Sequence, residues 1–562
     1  MDETNRRVAE LLHFMGRLLE IRGEDTFKVR AYHRAAEQIT RLNRSLQSMN
    51  GEEIRQIEGV GERIAQKIQE ILEKGTFQEL ETIRAGIPAT LIELLNLEGV
   101  GPKTIAHLWR TMGIQSLDDL ERAARGHRIR AIKGFGERKE QDILHAIDLY
   151  RQQGSRMTRL QADRVVQCVT AVLPTGTYNV AGSYRRGKST IGDIDIVVAL
   201  TPSSVNPRLR EIAQEVIDEG DRRTSIRCEG QRVDLRFTKV NEYGSMLLYL
   251  TGSKDFNIRL REIALSRGLK LNEYGIEDHR DGKLHTFSRE EELFAFLGME
   301  YVPPEIREDQ GEISLAFQHS LPQLISQNEI KGDLHTHSSW SDGHLTLEGL
   351  AHAGAATGYR YLLCSDHSAS LGIAHGLTEE RLREQMGEID RINRNSPCQI
   401  LAGTEVDILA DGTLGLPGSV LKDLDLVVAS IHSGFKQEKD AITRRMITAI
   451  TNDQVDIIGH PTGRLLGERE SYDIDMVRVI EAAADARTAL EINASPHRLD
   501  LDDIHVREAH NQGVKLAIGT DAHNEKELSC MKYGILIARR GWCEAGDLLN
   551  TMDEGALRRF TS

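Results

Sequence analysis

The strongest constraint on the fold is a run of seven short apolar segments after residue 328, most of which end in a residue that binds metals. The segments read DLHTH, YLLCSDH, ILAGTEVD, LVVASIH, DIIGH, ALEINA and LAIGTDAH. An apolar run of about four to eight residues is typical of a buried strand, so each segment predicts a strand with polar groups at its C-terminal end. Strands of this kind predict a parallel β/α barrel, in which chemistry lies at that end.

The segment ends hold imidazole and carboxylate groups, partly in the pairs HxH and DxH. They are His335, His337, His367, Glu405, His432, His460, Asp521 and His523. A single histidine is more often a core or surface residue than a ligand, but five at successive strand ends reverse that expectation. Imidazoles and carboxylates that converge in this way suit two or three divalent ions of the manganese, iron or zinc type. This half of the chain is therefore predicted to be a metallohydrolase.

Length and composition bound the organisation of the chain. With 562 residues it is too long for one core, which predicts three or four units. No segment approaches the roughly 20 apolar residues of a membrane span. The six cysteines are scattered without a CxxC pair, which indicates reduced thiols and a cytoplasmic location. The net charge of −15 lies mainly in residues 331–562, so it does not exclude a nucleic-acid partner for the first 240 residues.

One local pattern occurs three times in the first 150 residues, as IRQIEGVGERIAQKI, LLNLEGVGPKTIAHL and IRAIKGFGERKEQDI. Each copy predicts an apolar helical stretch, a Gly-x-Gly turn and an amphipathic helix. A glycine at such a turn is commonly only a helix cap, but three copies with matching flanks favour phosphate binding by backbone N–H groups. The glycines concerned are Gly59, Gly61, Gly99, Gly101, Gly134 and Gly136.

A different chemistry is indicated by the stretch VAGSYRRGKSTIGDIDIVVAL, which contains no P-loop. Gly182 and Ser183 follow a short strand and should open a helix or turn whose N–H groups can hold phosphate oxygens. Asp193 and Asp195 lie two apart on the predicted strand DIDIVV, so their carboxylates share one face. Asp234 in RVDLRF supplies a third carboxylate. Three such groups suit two Mg²⁺ or Mn²⁺ ions in phosphoryl transfer, which predicts a nucleotidyl transferase.

The motifs GSYRRG and YLTGSKDFNIRLR resemble those of the family X DNA polymerases. The resemblance implies that Ser183, Arg186 and Gly192 contact the triphosphate, that Asp193 and Asp195 bind both metals, and that Asp234 binds the catalytic metal and deprotonates the primer. It further implies that Tyr249 and Gly252 line the sugar, Asn257 contacts the base, Arg261 the template strand, and Arg232 holds Asp234. The family's phenylalanine before Thr251 is Leu250 here, which alters the sugar-facing surface.

The segments FKVRAYHRAAEQI and GVGERIAQKIQEIL resemble the N-terminal lyase domain of the same family, and the repeated pattern resembles the helix-hairpin-helix module. This implies that Lys67 forms a Schiff base with a 5′-deoxyribose phosphate and that Lys28, Tyr32 and Arg63 bind DNA beside it. The family's lysine near residue 63 is replaced by Arg63. The alternative is that Lys67 is a solvated helix lysine that only touches phosphate.

The C-terminal motifs, beginning with DLHTHSSWSDG, resemble the PHP (polymerase and histidinol phosphatase) superfamily. Its nine-ligand set adds Asp342 to the eight residues named above. The metals would generate hydroxide near neutral pH for attack on a phosphorus ester. His375, Arg464, Glu491 and Asn493 are candidates for substrate or supporting contacts, although Glu491 could equally be a structural residue at a strand end.

Together these patterns predict a multidomain α/β chain. The expected units are a lyase-like helix-hairpin-helix domain (1–88), fingers with two further hairpins (89–150), palm (151–238), thumb (239–305), linker (306–328) and a (β/α)7 PHP domain (329–562). The predicted function is short-gap DNA synthesis in base excision repair, with a Mn²⁺-dependent 3′→5′ exonuclease that could extend to abasic-site endonuclease and 3′-phosphatase activity. The expected partners are gapped or primed DNA and dNTPs, with no membrane, for a monomer in the cytoplasm near the nucleoid.

Three alternatives remain. The barrel could be the working nuclease beside a weak polymerase centre, which the complete Asp193, Asp195 and Asp234 set disfavours. The chain could be a phosphatase of the histidinol-phosphate kind, which would leave the three hairpins without a purpose. It could also be a scaffold that binds DNA ends with degenerate sites, which the complete carboxylate and histidine sets disfavour.

Overall fold

The computed structural model describes residues 3–40, 42, 44–97, 99–132, 134–153 and 156–560. The chain divides into two compact units, residues 1–155 and 156–562, and each is described by itself. Within the described residues, no helix is long and apolar enough to cross a membrane.

The first unit is built from helices. They are α1 (Glu3–Arg22), α2 (Thr26–Thr40), α3 (Gly51–Arg55), α4 (Glu62–Lys74), α5 (Gln78–Ala85), α6 (Ala89–Glu93), α7 (Pro102–Met112), α8 (Leu117–Arg125) and α9 (Glu137–Gln153). Leu12, Met15 and Leu19 of α1 are fully buried, and they belong to the same apolar core as Ile39 of α2 and Ile68 of α4. The three predicted Gly-x-Gly turns each precede a helix, since α4, α7 and α9 begin directly after the second glycine.

The first arm of the third hairpin differs from the sequence prediction. In the first two copies a five-residue helix, α3 or α6, lies upstream of the glycines. In the third copy α8 already ends at Arg125, and the described part of residues 126–136 forms turns. The prediction of a helical arm there is wrong. A turn at Gly126 and His127 ends α8, in which His127 has a left-handed φ of 57° and Arg128 N donates to Ala123 O.

Residues 156–238 form a five-stranded sheet, a separate antiparallel pair of β1 with β3, and three helices. The elements are β1 (Met157–Thr158), α10 (Arg159–Thr170), β2 (Tyr178–Val180), α11 (Gly182–Arg185), β3 (Thr190–Ile191), β4 (Ile194–Val198), α12 (Pro202–Ile212), β5 (Glu215–Glu219), β6 (Arg223–Cys228) and β7 (Gln231–Phe237). The strand order is β2-β4-β7-β6-β5, and the β4–β7 pair is parallel while its neighbours are antiparallel. Ile194, Ile196 and Val198 turn one face of β4 into the core.

The following segment packs a small sheet against four helices. The elements are α13 (Tyr243–Thr251), α14 (Lys254–Ser266), β8 (Leu269–Asn272), β9 (Gly275–Asp278), β10 (Lys283–His285), α15 (Glu290–Phe296) and α16 (Glu312–Gln318). The predicted linker, residues 306–328, contains the short helix α16. Ile313 and Ala316 of α16 are buried in the same apolar cluster as Phe256 and Phe294, so this stretch is packed against the preceding helices.

The C-terminal half is the predicted parallel barrel. Its elements are β11 (Gly332–Thr336), α17 (Leu347–Thr357), β12 (Tyr361–Cys364), α18 (Glu379–Asn393), β13 (Gln399–Asp407), α19 (Gly418–Leu421), β14 (Leu426–Ser430), α20 (Lys439–Ile450), β15 (Ile457–Ile458), α21 (Met476–Ala486), β16 (Ala489–Asn493), α22 (Asp503–Asn511), β17 (Leu516–Gly519), α23 (Met531–Arg540) and α24 (Glu554–Phe560). The seven strands pair in chain order and all pairs are parallel.

The first and last strands of the barrel meet at their C-terminal ends. His337 N donates to Ala522 O at 2.9 Å, and Asp521 N donates to His335 O at 2.9 Å. The seven predicted apolar segments are therefore confirmed as strands of a nearly closed barrel. The ends that carry the predicted metal ligands of β11 and β17 are neighbours.

Candidate active sites

The palm carboxylates converge through strand pairing. Asp195 on β4 and Asp234 on β7 are direct partners in the parallel register, so both side chains leave the sheet on one face. Asp193 precedes β4, which begins at Ile194 and not at Asp193 as predicted. Asp193 is exposed, Asp195 half-buried and Asp234 buried. The arrangement brings the three predicted carboxylates together where two divalent cations could bind.

The three carboxylates have unequal proton affinities. Burial and the neighbouring Asp193 and Asp234 charges raise the pKa of Asp195 to about 7. Burial opposes the ionisation of Asp234 as well, but hydrogen bonds from Ser225, Arg223 and Arg232 lower its pKa below the ordinary value. Carboxylates that repel one another in this way, without a cation between them, form a site that fits metal ions.

Two arginines hold Asp234, of which the sequence analysis named one. Arg232 Nε lies 3.3 Å from Asp234 Oδ1, as the resemblance implied. Arg223 on β6 donates from Nη2 to both carboxylate oxygens at 3.1 Å. Arg223 was not predicted because the pairing of β6 with β7 is not visible in the sequence. The alternating segment RTSIRC could nevertheless have indicated a strand that pairs with a neighbour.

Position 182 requires a glycine because Asp195 leaves no space for a side chain there. Its φ is +61°, and a Cβ built there would lie 2.6 Å from Asp195 Oδ2. Gly182 begins α11, so the predicted opening of a helix at GS is observed. Ser183 and Gly192 flank the same carboxylates, at the start of α11 and just before Asp193. A side chain at position 182 would push into the site.

The two arginines of GSYRRG are held by acidic side chains. Arg185 donates to both oxygens of Glu290, at 3.0 and 2.6 Å. Arg186 donates from Nε to Glu308 at 3.2 Å and from Nη1 to Thr251 O at 2.7 Å. Neither is a solvated turn residue, since the two side chains are 19% and 13% exposed. The ion pair orients Arg186 beside the carboxylate cluster, where Asp195 feels its charge.

The predicted sugar, base and template residues form one group. Asn257 Nδ2 donates to Tyr249 O at 2.7 Å, and Arg261 Nε donates to Asn257 O at 3.1 Å. A Cβ at Gly252 would lie 2.6 Å from Asn257 Oδ1, so that side chain closes over the glycine. Tyr249, Asn257 and Arg261 line a pocket with Ser245, Leu248, Leu271 and Asn272.

All nine predicted barrel ligands lie at the C-terminal end of the barrel. Three groups each bring one donor atom per residue within 4.8 Å of the others. They are His337, Asp342, His367 and His523; His335, His337 and Asp521; and His367, Glu405 and His432. His460 joins through Glu405, whose Oε1 lies 2.9 Å from His460 Nε2. Shared members link the groups into one cluster, which fits more than one metal ion.

Buried nitrogen atoms without partners support the fit to metal. Among the described residues, both ring nitrogens of His337 and Nε2 of His335 are buried without a well-aligned hydrogen bond, although Asp521 Oδ1 lies 3.2 Å from His337 Nε2. Buried polar atoms in proteins are nearly always paired, so such atoms at the centre of an acidic cluster are suited to coordination. Burial and the neighbouring His523 and His367 lower the pKa of His337 to about 4, which keeps the ring neutral, the form that binds metals.

Outer carboxylates orient the ligand rings. His335 Nδ1 lies 2.7 Å from Glu491 Oε1, and His432 Nδ1 lies 2.8 Å from Asp407 Oδ1. Asn493 Nδ2 donates to Asp521 Oδ2 at 3.2 Å. A carboxylate on one ring nitrogen directs the other nitrogen toward a metal. Glu491 and Asn493 were predicted as supporting candidates. Asp407 was missed, although it follows Glu405 by two residues on the same strand.

Two further candidates lie apart from the cluster. His375 is exposed, and its carbonyl accepts a hydrogen bond from Arg381 at 2.9 Å. Arg464 donates to Arg498 O at 3.0 Å and contacts Leu499 O and Asp502, so its guanidinium supports the 498–502 loop. None of these contacts involves one of the nine ligands.

The comparisons with known proteins cover both halves. Family models match a helix-hairpin-helix domain over residues 3–77, a SAM-like helix-hairpin-helix tandem over 91–148, the DNA polymerase beta palm over 156–229 and the DNA polymerase beta thumb over 246–308. The DNA polymerase/3′-5′ exonuclease PolX of Bacillus subtilis (strain 168) is 39% identical over 554 residues, which cover 97% of this chain and 96% of that protein. The chain belongs to family X of the DNA polymerases.

Two other relatives match parts of this family X chain. DNA polymerase lambda of Rattus norvegicus is 27% identical over 341 residues, 54% of this chain and 56% of that protein. A probable phosphatase of Thermoanaerobacter sp. (strain X514) is 31% identical over 241 residues, 41% of this chain and 93% of that protein. The second match has the size of the barrel and agrees with a PHP domain.

In the N-terminal unit of this family X chain, three predicted residues surround one carboxylate. Glu79 on α5 accepts from Lys67 Nζ at 2.8 Å, Lys28 Nζ at 3.1 Å and Tyr32 Oη at 3.1 Å. Burial opposes the ionisation of Glu79, but Lys67 and Lys28 lower its pKa to about 2. Arg63 is exposed one helical turn before Lys67. Sequence reasoning missed Glu79, which no local pattern marks.

The hairpin glycines present an open backbone. Gly59, Gly99 and Gly134, the first of each pair, have positive φ values of 79°, 72° and 92°. Among the described atoms, a Cβ at Gly61, Gly99, Gly101, Gly134 or Gly136 would meet nothing within 4 Å. The turns can therefore approach an oxyanion closely, as the sequence analysis predicted.

Proposed function

We propose that this chain extends the 3′ end of gapped or primed DNA at Asp193, Asp195 and Asp234 and removes nucleotides from such an end at the barrel cluster. The observation that carries the polymerase half is the pairing of Asp195 with Asp234 in the parallel register. The one that carries the nuclease half is the nine-residue ligand cluster. The names of the relatives, DNA polymerase/3′-5′ exonuclease and DNA polymerase lambda, agree with both halves.

At the palm site, two Mg²⁺ or Mn²⁺ ions would supply charge for the incoming triphosphate and activate the primer hydroxyl. Asp234, which its arginines keep ionised, accepts the proton of the 3′-hydroxyl. Ser183, Arg186 and Gly192 contact the triphosphate. Tyr249 and Gly252 line the sugar, Asn257 the base and Arg261 the template strand.

At the barrel site, two or three ions of Mn²⁺, Zn²⁺ or Fe²⁺ would supply hydroxide for attack on a phosphodiester. The nine ligands hold these ions, and Glu491 and Asp407 fix the tautomers of His335 and His432. The same site would serve abasic-site endonuclease and 3′-phosphatase reactions, since each is attack on a phosphorus ester that leaves a 3′-hydroxyl end.

A lyase step at Lys67 is the finer part of the proposal. The amine of Lys67 would bond to C1′ of a 5′-deoxyribose phosphate with loss of water, while Lys28, Tyr32 and Arg63 bind the DNA. The Lys67 side chain is only 17% exposed, which suits a nucleophile better than a solvated lysine. The open hairpin turns would hold the flanking DNA backbone. The protein would serve base excision repair, as a monomer in the cytoplasm near the nucleoid.

The test uses duplex DNA with a one-nucleotide gap, a 5′-phosphate and a labelled primer, incubated with Mn²⁺ in the presence or absence of dNTPs. We expect extension with dNTPs and shortening without them. Asp195→Asn should abolish extension alone, and His337→Ala should abolish shortening alone. Shortening under both conditions by the unaltered protein would support the alternative of a barrel nuclease with a weak polymerase centre.

A further inference from the structure

Helix α23, on the outside of the barrel, contacts the palm at the turn that follows Gly182. We propose that α23 positions this turn, so that the barrel is a structural part of the polymerase site. The inference rests on the proposed role of residues 182–188 in triphosphate binding. It assigns a positioning role to two residues of the barrel, Arg540 and Tyr533.

Arg540 fixes the turn through the backbone. Its Nη1 donates to Arg186 O at 2.7 Å and to Glu305 O at 3.1 Å. Its Nε and Nη2 are held by Asp503 at 2.9 and 2.5 Å, so the guanidinium is anchored in the barrel on its other side. The side chain is 2% exposed. A buried arginine with these bonds has little freedom, and the carbonyl of Arg186 is fixed with it.

Arg540 also acts on the side chain of Arg186 through Glu308. Glu308 Oε1 accepts from Arg186 Nε at 3.2 Å, Lys188 Nζ at 3.3 Å and Arg540 Nη1 at 3.1 Å. Burial opposes the ionisation of Glu308, but Arg540, Lys188 and Arg186 lower its pKa. The Glu308 carboxylate thus orients the side chains of Arg186 and Lys188, and Arg540 holds that carboxylate in place.

A second bridge reaches the turn at Tyr184, next to Ser183. Tyr533 of α23 donates to Asp163 Oδ2 at 2.6 Å, and Tyr184 donates to Asp163 Oδ1 at 2.9 Å. Arg159 lies over the Tyr184 ring at 4.3 Å and donates to Tyr184 O at 2.7 Å. Arg159 therefore fixes the carbonyl of Tyr184, and Asp163, which is bound to Tyr533 of the barrel, fixes its ring through the hydroxyl.

Tight packing on both faces of α23 completes the support. A Cβ at Gly187 would lie 3.4 Å from Leu536, which shows that the turn lies directly on the helix. On the opposite face, a Cβ at Gly534 would lie 2.4 Å from Ile518 of β17. The helix therefore packs closely against the strand that leads to Asp521. The turn therefore takes its position from the barrel.

The experiment measures single-nucleotide gap filling by the full-length protein, and exonuclease activity without dNTPs. Arg540→Met should raise the KM for dNTP about tenfold, as expected for loss of a charge-assisted hydrogen bond, with a smaller effect on kcat and none on the exonuclease. Tyr533→Phe removes one hydroxyl and should raise KM about threefold on the same reasoning. Arg539→Met is the matched control, because Arg539 contacts Glu305 and Ile325 but not the turn.

Ser183→Ala separates this inference from the proposed function. If Ser183→Ala leaves KM unchanged, the turn does not bind the triphosphate, and both the assignment and the inference are wrong. If Ser183→Ala raises KM while Arg540→Met and Tyr533→Phe keep the unaltered KM, only the inference is overturned. A parallel loss of both activities and of thermal stability in Arg540→Met and Tyr533→Phe would also overturn it, since that marks general destabilisation.

Discussion

The ammonium of Lys67 lies 2.8 Å from the carboxylate of Glu79, so the predicted lyase nucleophile is engaged in an ion pair. The same carboxylate accepts from Lys28 and Tyr32, the residues predicted to bind DNA beside it. Lys67, Lys28 and Tyr32 all donate to Glu79, so a DNA 5′-phosphate could bind the same three donors only if it displaced Glu79. The ion pair therefore opposes both the binding of the phosphate and the attack by the amine.

Replacing Glu79 should strengthen the lyase reaction. Glu79→Gln removes the anion that pairs with Lys67 and Lys28 and frees both amines for the sugar aldehyde and the phosphate, so we expect borohydride trapping of 5′-deoxyribose-phosphate DNA to accelerate about tenfold, the factor given by about 1.4 kcal/mol of barrier. Glu81→Gln is the control on the same helix, because Glu81 bonds to Thr76. Lys67→Ala should abolish trapping. Slower trapping in Glu79→Gln would mean that Glu79 assists the reaction.

A side chain at position 182 should damage polymerisation alone. Gly182→Ala places a Cβ 2.6 Å from Asp195 Oδ2, so the carboxylate must move and extension should fall at least about a hundredfold, more than about 2.7 kcal/mol of barrier. Gly176→Ala matches the backbone strain, with φ of +81°, but meets nothing within 4 Å among the described atoms. Equal losses in both variants would mean that strain and not the clash is responsible.

Loss of the outer carboxylate on His432 should weaken metal binding in the barrel. In Asp407→Asn the anionic partner of His432 Nδ1 is lost, and we expect metal affinity to fall about 10- to 100-fold. Titration of the exonuclease activity with Mn²⁺ measures this, while gap filling with Mg²⁺ stays unchanged. Asp411→Asn, an exposed carboxylate nearby, should behave as the unaltered protein. An unchanged Mn²⁺ titration in Asp407→Asn would contradict the assigned role.

The ion pairs of Glu290 predict a pH-dependent stability. Burial opposes its ionisation, but Arg307 and Arg185 lower its pKa to about 2. Since the folded pKa lies below the unfolded value of about 4.3, the stabilisation is complete above pH 4.3 and is lost as the pH falls toward 2. Glu290→Gln leaves the buried Arg307 unpaired and should cost about 3 kcal/mol near neutral pH.

Thermal melting of Glu290→Gln and the unaltered protein measures this between pH 3 and pH 7. The difference in Tm should be largest at neutral pH and shrink at pH 3. Glu291→Gln, an exposed neighbour on α15, is the control and should show little difference at any pH. A Tm difference that stays constant with pH would show that the Glu290 charge does not contribute.

The sequence predicted the features that depend on local periodicity. The apolar segments became the strands of the barrel, and their ends delivered His335 and Asp521 to one place because parallel strands share an edge. Alternation likewise predicted that Asp193 and Asp195 share one face, whereas the pairing of Asp195 with Asp234 depends on the register of two strands. The start of β4 was predicted one residue early, since only the hydrogen-bonded ladder shows that the strand begins after Asp193.

The contacts that sequence reasoning missed join residues far apart in the chain or outside any motif. Glu79 meets Lys67 because α5 folds back on α4, and Arg223 meets Asp234 because β6 pairs with β7. Arg540 reaches Arg186 only after the barrel has packed on the palm. Each is an ordinary charged residue in its own segment. Two of the missed residues carried a local signal: Asp407 lies two residues after Glu405, and Arg223 lies in the alternating segment RTSIRC.

The parallel pairing of β4 with β7 has a consequence for the folding of the newly synthesised polypeptide. Between these strands the chain forms α12, β5 and β6, so Asp195 and Asp234 meet only after a non-local pairing is complete. A slip of one residue in that pairing would turn Asp234 to the opposite face of the sheet. Molecules with that slip would lack the carboxylate pair and could not extend a primer. The polymerase centre therefore forms only in a polypeptide whose palm sheet has the correct register.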